Sequence, residues 1–260
     1  MNTPMQDYSV AERRYEILEQ IKRQGRVSVT ELSQVFGVSE VTIRADLQIL
    51  AEQNLLVRTH GGAIPLNRLS SDLSFALRRQ QQVLAKDHIG EAGAMLVKDG
   101  DSIFLDTSST ALAIARYLTH LRNVTIVTNS IAIIQELMDC PGIDVVVPGG
   151  RLRRETASLI GIEGAETLAR YNIQKGFFGA HGLSLAEGLT DVSSDEADVK
   201  RLLVNRCRQV IAVIDATKWG RVGLASFARV ADIDLVISDH DALPDLVAQV
   251  RIQGVEVVLV

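Results

Sequence analysis

The chain has 260 residues, 47% of them hydrophobic, 23% charged and only 4% aromatic. That is enough apolar material for a proper core, so a disordered chain is excluded. With 27 Lys and Arg against 32 Asp and Glu the net charge is −5, which argues against a protein that coats nucleic acid or membrane through bulk charge.

Apolar residues recur at helical spacing up to about residue 58, whereas after about residue 100 short β-branched strands alternate with helical stretches. In the first stretch, Ile17, Leu18 and Ile21 predict a helix over roughly 10–24, stopped by Gly25. A short extended piece, 26–29, comes next. Thr30 is expected to cap a second helix that turns Leu32, Val35 and Phe36 inward. Gly37 suits a left-handed turn between helices. Ser39, with Thr42 three residues on, caps a third helix running to about Gln53, with Val41, Ile43, Leu47 and Leu50 spaced for a core. Asn54 can take the left-handed cap. Leu55–Thr59 reads as a strand, His60-Gly61-Gly62 as a tight turn, and Ala63-Ile64 as the returning strand.

Helix, turn, helix and β-hairpin in this order make a winged helix-turn-helix. In that architecture the third helix enters the major groove. The residues placed to meet DNA are Ser39, Glu40, Thr42, Arg44 and Ala45 on the helix, and Arg58 and His60 on the wing. Arg44 is the candidate for a bidentate guanine or phosphate contact. Residues 1–68 hold eight basic and eight acidic residues, so the whole net charge of −5 belongs to residues 69–260. The boundaries expected are 1–64 for the DNA-binding domain, 65–88 for a linker and connecting helix, and 89–260 for an α/β domain.

That α/β domain should be a Rossmann-like open parallel sheet. Its candidate strands are 102–105, 124–128, 144–148, 176–180, 210–214, 235–238 and 256–260, with helices over 110–118 and 131–138. Ligands of such sheets bind beyond the carboxyl ends of the strands. The polar loops there supply the candidate effector residues. They are Asp106, Ser108, Ser109 and Thr110 after the first strand and Asn129 after the second. Gly149, Gly150 and Arg151 come after the third, Gly179 and His181 after the fourth, and Lys218 after the fifth. Hydroxyls and free N–H groups at a helix start suit an anion. Such loops suit a small, polyhydroxylated, phosphorylated ligand: Arg151 and Lys218 would meet its charge, while Asp106 and Asn129 would meet its hydroxyls.

Other features read as structural. Arg153 and Arg154 suggest a solvated face, and Asp191, Asp195 and Glu196 the first turn of the helix that carries Lys200. Trp219 should pack near the pocket. Cys140 and Cys207 read as small hydrophobes. His88, His120 and His240 lack metal-ligand spacing, so no metal and no cofactor is expected. Neither a signal peptide nor an apolar run of transmembrane length is visible, which implies a cytoplasmic protein with no membrane partner.

The chain resembles the DeoR family of bacterial transcription regulators. In the N-terminal part the resemblance rests on Arg14, Ile17, Leu32, Phe36, Val38-Ser39, Thr42-Ile43-Arg44, Asp46-Leu47, Leu50 and Arg58 to Ala63. Ala45 stands where the family often has a second arginine. Further on it rests on Leu105-Asp106 with Ser109-Thr110, Val127 to Ser130, Gly149 to Arg153, Gly188 to Thr190, Glu196 to Lys200, and Asp215 with Lys218. The family often has glycine where Ser108 stands. The resemblance implies a sensor domain with the fold of sugar-phosphate isomerases. It also implies a repressor of a carbohydrate operon whose operator binding responds to a phosphorylated sugar.

An isomerase carrying an accessory DNA-binding domain is the alternative. Isomerisation needs a positioned base and acid, and the loop Gly179 to Leu183 holds His181 but no carboxylate. The sequence therefore favours a non-catalytic sensor. The expected partners are operator DNA, a phosphorylated sugar effector and further copies of the chain, as a dimer or tetramer reading paired half-sites.

Overall fold

The computed structural model describes residues 8–52, 55–59, 61–65, 75–161, 164, 168 and 170–260. Asn54 and His60 lie outside these, so the cap and wing-tip roles expected of them are not described. The chain divides into two compact units, 1–72 and 73–260.

In the first unit, α1 spans Val10–Gln24, β1 Val27–Ser28, α2 Val29–Phe36, α3 Glu40–Glu52, β2 Leu56–Thr59 and β3 Gly62–Pro65. Ser9 and Glu12 form a reciprocal capping box at the start of α1, and Gly25 closes it at φ 74°. The cap of α2 is Ser28, whose hydroxyl accepts from Glu31 N at 3.0 Å; Thr30 lies inside the first turn of the helix. The expected Thr30 cap is thus two residues late, because β1 runs straight into α2 with no loop between them. Ile17, Ile21, Leu32, Ile43, Leu47 and Leu56 form the centre of the core. Val35 and Val41, expected inside, are 56% and 72% exposed. Each falls off the buried stripe, which on α3 is carried by Ile43, Asp46, Leu47 and Leu50 at spacings of three and four. The three strands pair antiparallel in the order β1-β3-β2. Only glycine fits at position 62, because a Cβ there would lie 1.8 Å from the Val27 carbonyl oxygen.

The second unit opens with α4 (Phe75–Arg78) and α5 (Val83–Met95), then β4 (Ser102–Leu105), α6 (Ser109–Tyr117), β5 (Val124–Thr128), α7 (Ile131–Leu137) and β6 (Ile143–Val146). A hairpin comes next, β7 (Arg151–Arg153) and β8 (Ser158–Ile160), and then β9 (Ile173–Phe178), β10 (Gly182–Ser184), β11 (Gly188–Asp191) and α8 (Ser194–Val204). The chain finishes with β12 (Cys207–Val213), β13 (Ala225–Ala228), β14 (Leu235–Ser238), α9 (Pro244–Ile252) and β15 (Glu256–Leu259).

Seven strands form one sheet in the order β15-β14-β12-β9-β4-β5-β6. Every neighbouring pair in it is parallel. All seven were legible as candidate strands, with ends displaced by up to three residues. The reason is that the central ones are buried on both faces and read as apolar runs. Ile103, Phe104 and Leu105 have no exposed surface; Ile103 and Leu105 join one layer of core and Phe104 the other. The short β7–β8 hairpin and the antiparallel β10-β11-β13 sheet escaped the sequence reading.

Candidate functional site

In the first unit the candidate site is the outward face of α3 with the wing. Ser39 opens the helix: its hydroxyl accepts from Thr42 N at 3.2 Å and lies 2.9 Å from the Thr42 hydroxyl. Val41, Arg44, Ala45, Gln48 and Glu52 are exposed beyond it, one helical stripe opposite the core. Glu40 has two partners. It accepts from the Thr30 hydroxyl at 2.9 Å and pairs with Arg44 Nη2 at 2.6 Å. The Arg44 guanidinium is thus held by an exposed carboxylate on its own helix. Arg58, exposed on β2, donates to Gln48 on α3, which ties the wing to the same face. Behind the helix, Asp46 is buried and accepts from both Arg13 and Arg14 of α1 at 2.7 Å. Sequence reasoning missed Val41 and Gln48 on this face; the i, i+3, i+4, i+7 stripe through Arg44 was the signal available.

In the second unit the strand order itself locates a crevice. From β4 the chain winds outward through β5 to β6, then returns to β9 beside β4 and winds the other way through β12, β14 and β15. Strand order reverses between β4 and β9, and connections leaving these two strands in opposite directions open a crevice at their carboxyl ends. The loops there are Asp106–Thr110 and Gly179–His181. Ser108 caps α6, its hydroxyl accepting from Ala111 N at 3.0 Å, so free N–H groups of the helix start face this edge. The two loops touch closely: a Cβ at Gly179 would lie 2.3 Å from the Ser108 Cβ.

Lys200, on α8, holds this junction together. Its ammonium donates to Asp191 and to the Gly179 carbonyl, each at 2.8 Å, and forms an ion pair with Asp106 at 2.9 Å. All three side chains are under a tenth exposed. The Lys200 ammonium also lies 5.0 Å from the centre of the Phe227 ring. Burial alone would lower the Lys200 pKa; Asp106, Asp191 and Glu196 reverse that and hold it above the ordinary lysine value. Burial likewise works to raise the Asp191 pKa, and the Lys200 charge and hydrogen bond hold it below the carboxylate range.

This geometry corrects two expected roles. Asp106 has no exposed surface; its oxygens accept from Ser108 N and Gly179 N, each at 2.9 Å, and pair with the Lys200 charge, so it shapes the loops rather than meeting ligand hydroxyls. Asp191 belongs to β11, not to the first turn of α8; Asp195 and Glu196 do occupy that turn. The Glu196 carboxylate accepts from the Ser158 hydroxyl at 3.1 Å. In the sequence Lys200 stands out only as part of a family motif, because nothing in a linear chain says which carboxylates a lysine will reach.

Three basic side chains whose charged form burial disfavours bear on this edge, His181 and Lys218, both half-buried, and Lys86, which is buried. Burial lowers the pKa of His181, and Lys218 and Arg221 lower it further. Burial also lowers that of Lys218, with Arg221 and Arg78 adding to the effect and Asp215 opposing it. Lys86, on α5, is brought down to about 8, chiefly by burial. Arg78 acts electrostatically on all three. Asp215 caps the turn Ala216–Lys218 by accepting from Thr217 N at 3.0 Å. Trp219 is buried and donates to the Ser238 hydroxyl at 3.0 Å.

The remaining candidates sit on the β7–β8 side. Asn129 is buried and donates to the Leu159 carbonyl at 3.0 Å, pinning the hairpin to the end of β5 rather than facing outward. Gly150 and Arg151 border a groove with Ile160, Asp195 and Asp198; Arg151 is largely exposed and 3.6 Å from Asp195. Gly149 precedes them in the loop after β6. Arg153 is not the solvated residue expected: it is only 18% exposed and donates to the Ser193 hydroxyl. Burial pushes the Cys207 thiol up to about 12, which makes it inert at neutral pH. Among the described residues no cluster of His, Cys, Asp and Glu suits a metal ion, and no helix is long and apolar enough to cross a membrane.

Comparison with known proteins bears on both units. Residues 13–68 match the DeoR-like helix-turn-helix domain, and residues 81–240 match the DeoR C terminal sensor domain. The chain is 35% identical over 229 residues to the HTH-type transcriptional regulator GolR of Listeria innocua, covering 88% of this chain and 90% of that protein. It is 32% identical over 223 residues to the glycerol-3-phosphate regulon repressor of Escherichia coli, covering 86% and 88%. Ribose 5-phosphate isomerase A of Methanocaldococcus jannaschii shows a partial likeness, with a TM-score of 0.39 at 20% identity over 52% of this chain and 53% of that one. That likeness assigns no activity. The relatives are named as regulators and repressors, and the chain belongs to the DeoR family of DNA-binding transcriptional regulators rather than to the enzymes.

Proposed function

We propose that this regulator represses a carbohydrate-utilisation operon and that a phosphorylated sugar, bound at the carboxyl ends of β4 and β9, controls its hold on the operator. The observation that carries the reading is the meeting of a strand-order reversal with a capped helix start and two basic side chains, Lys218 half-buried and Lys86 buried. A phosphate matches the N–H groups of Ser109 and Thr110 at the helix start and the charge of Lys218. The name of the glycerol-3-phosphate regulon repressor points to the same ligand class.

On the DNA side, Ser39, Thr42 and the N–H groups of the α3 start are the proposed phosphate contacts, and Arg44 is the base or phosphate reader. Val41 and Ala45 give that face apolar surface of the kind a thymine methyl takes. Arg58 and His60 are the proposed wing contacts. Glu40 holds Arg44 in the absence of DNA and gives it up to the operator. A single unit of this size makes few contacts, so the active form is a dimer or tetramer reading paired half-sites.

The test is an operator shift with DNA from the region upstream of the gene, repeated with a panel of sugar phosphates and their unphosphorylated sugars. One phosphorylated member should weaken the shift at least ~10-fold, which needs about 1.4 kcal/mol of differential binding. Operator binding indifferent to every member would end the proposal, and sugar-phosphate turnover without operator binding would favour the isomerase alternative.

A further inference from the structure

The segment between α4 and α5 is held by the same elements that form the anion loop. Lys86, on the first turn of α5, is buried and donates to the carbonyls of Arg78 and Gln81, each at 2.7 Å. The Ser109 hydroxyl lies 3.5 Å from the same Arg78 carbonyl. An ammonium has three donors, so these two bonds leave Lys86 with one for a ligand. The turn itself is not relaxed. Gln82, at its end, has φ 50° and ψ 42°, a left-handed conformation unusual for a residue with a β-carbon, and its side chain caps nothing. Beside it, a cavity of about 220 Å³ bordered by Arg79, Lys86, Asp87, Ser109 and Arg116 gives the turn room to move.

We infer that Lys86 is a ligand-contacting residue of the effector site, and that an anionic group bound at Ser108–Thr110 draws Lys86 and Ser109 off the Arg78 and Gln81 carbonyls and frees the 78–82 turn. The ligand class is a phosphate-type anion, since only a charged acceptor outcompetes two neutral carbonyls for an ammonium. No bond is made or broken covalently. The consequence is directional: the turn lies a few residues beyond the boundary between the two compact units, so its release loosens the segment that leads towards the DNA-binding unit. This inference rests on the reading of the β4–β9 edge as an anion site.

The test uses the full chain, with inorganic phosphate as the probe and chloride at matched ionic strength as the control. Phosphate affinity is followed by titration, and backbone amide exchange is followed across 79–82. The wild-type chain should bind phosphate, and exchange in the turn should speed up at least ~10-fold. Lys86→Met should weaken phosphate binding by ~10-fold or more and leave the turn exchanging fast with or without phosphate. Should Lys86→Met not fold, Lys86→Gln carries the same expectation. Absence of phosphate binding to the wild-type chain overturns the anion site and this inference together. Binding of equal strength in wild type and variant, or a turn whose exchange ignores phosphate, overturns the role of Lys86 and leaves the anion site standing.

Discussion

The two units treat charge in opposite ways. On α3 the charges stand in water: Arg44 is 52% exposed and its partner Glu40 is 40% exposed, an i, i+4 pair on one helix. At the β4–β9 edge Lys200, Asp106 and Asp191 are nearly sealed, and the lysine pairs with both carboxylates and donates to the Gly179 carbonyl. An exposed pair contributes little to stability and exchanges its partner at little cost. A sealed cluster is costly to break because the charge left behind has no solvent. A polyanion such as DNA needs cations that are accessible and can trade one acceptor for another. A small ligand needs loops that are already in place and a crevice where burial strengthens each contact. On the proposed reading the chain offers its exchangeable charge to DNA and uses its fixed charge to shape the second unit.

The sharpest break of that contrast is Lys200→Met. It strands two buried carboxylates and should destabilise the second unit by about 3–5 kcal/mol. Thermal unfolding should show the second unit melting early while the first is unchanged; adding Asp106→Asn and Asp191→Asn should recover much of the loss. A melting curve indifferent to Lys200→Met would mean that the cluster is not sealed. Next in size are the two single-cation deletions. Arg44→Ala should weaken operator binding by about 1–3 kcal/mol and leave stability nearly unchanged, as read by gel shift and melting. Lys218→Ala should weaken the effector response by about 1.5–3 kcal/mol while operator affinity stays at the wild-type value in the absence of effector. Loss of operator affinity in the second variant would contradict the division of labour between the units.

The pH dependence is smaller and has a definite sign. Burial brings Lys86 down to about 8, with Lys218 and Arg78 assisting and Asp215 opposing; Arg79, Asp87 and Arg116 line the cavity beside it. A bound phosphate raises that pKa, so binding takes up a proton once pH exceeds it. Effector affinity should then fall roughly 10-fold between about pH 7 and 9, and the slope should flatten in Lys86→Met. Below about pH 6 the phosphate itself titrates and the profile reports the ligand instead. The smallest expected effect is Glu40→Gln. Removing the carboxylate that holds Arg44 should tighten operator binding by ~3-fold and should change melting by less than about 0.5 kcal/mol. Weaker binding would show that Glu40 itself accepts a hydrogen bond from a base.

Much of this architecture can be read from the chain because it obeys local rules. Gly25, Gly37 and Ser39 set helix ends by backbone geometry and short-range capping, and runs such as Ile211 to Val213 mark strands buried on both faces. The Ser108 cap and the motif through Arg44 are likewise contiguous in sequence. Val41 was misplaced for a corresponding reason: an apolar residue on an exposed stripe and one on a core-facing stripe look alike until the partner of each helix face is known. The same holds for Asp106 and Asn129, polar residues at strand ends whose side chains turn inward onto their own protein.

By itself the sequence determined the two-part organisation, the helix-turn-helix with its wing, the seven strands of the parallel sheet and the family. These rest on periodicity, capping and motifs, which are properties of neighbouring residues. Only the tertiary structure decided that β9 lies beside β4, and it alone brought Lys200 to Asp106 and Asp191. It also set Lys86 on the carbonyls of Arg78 and Gln81. The physical reason is that a charge is stable in the interior only where distant segments supply its partners, and which segments meet is fixed by sheet order.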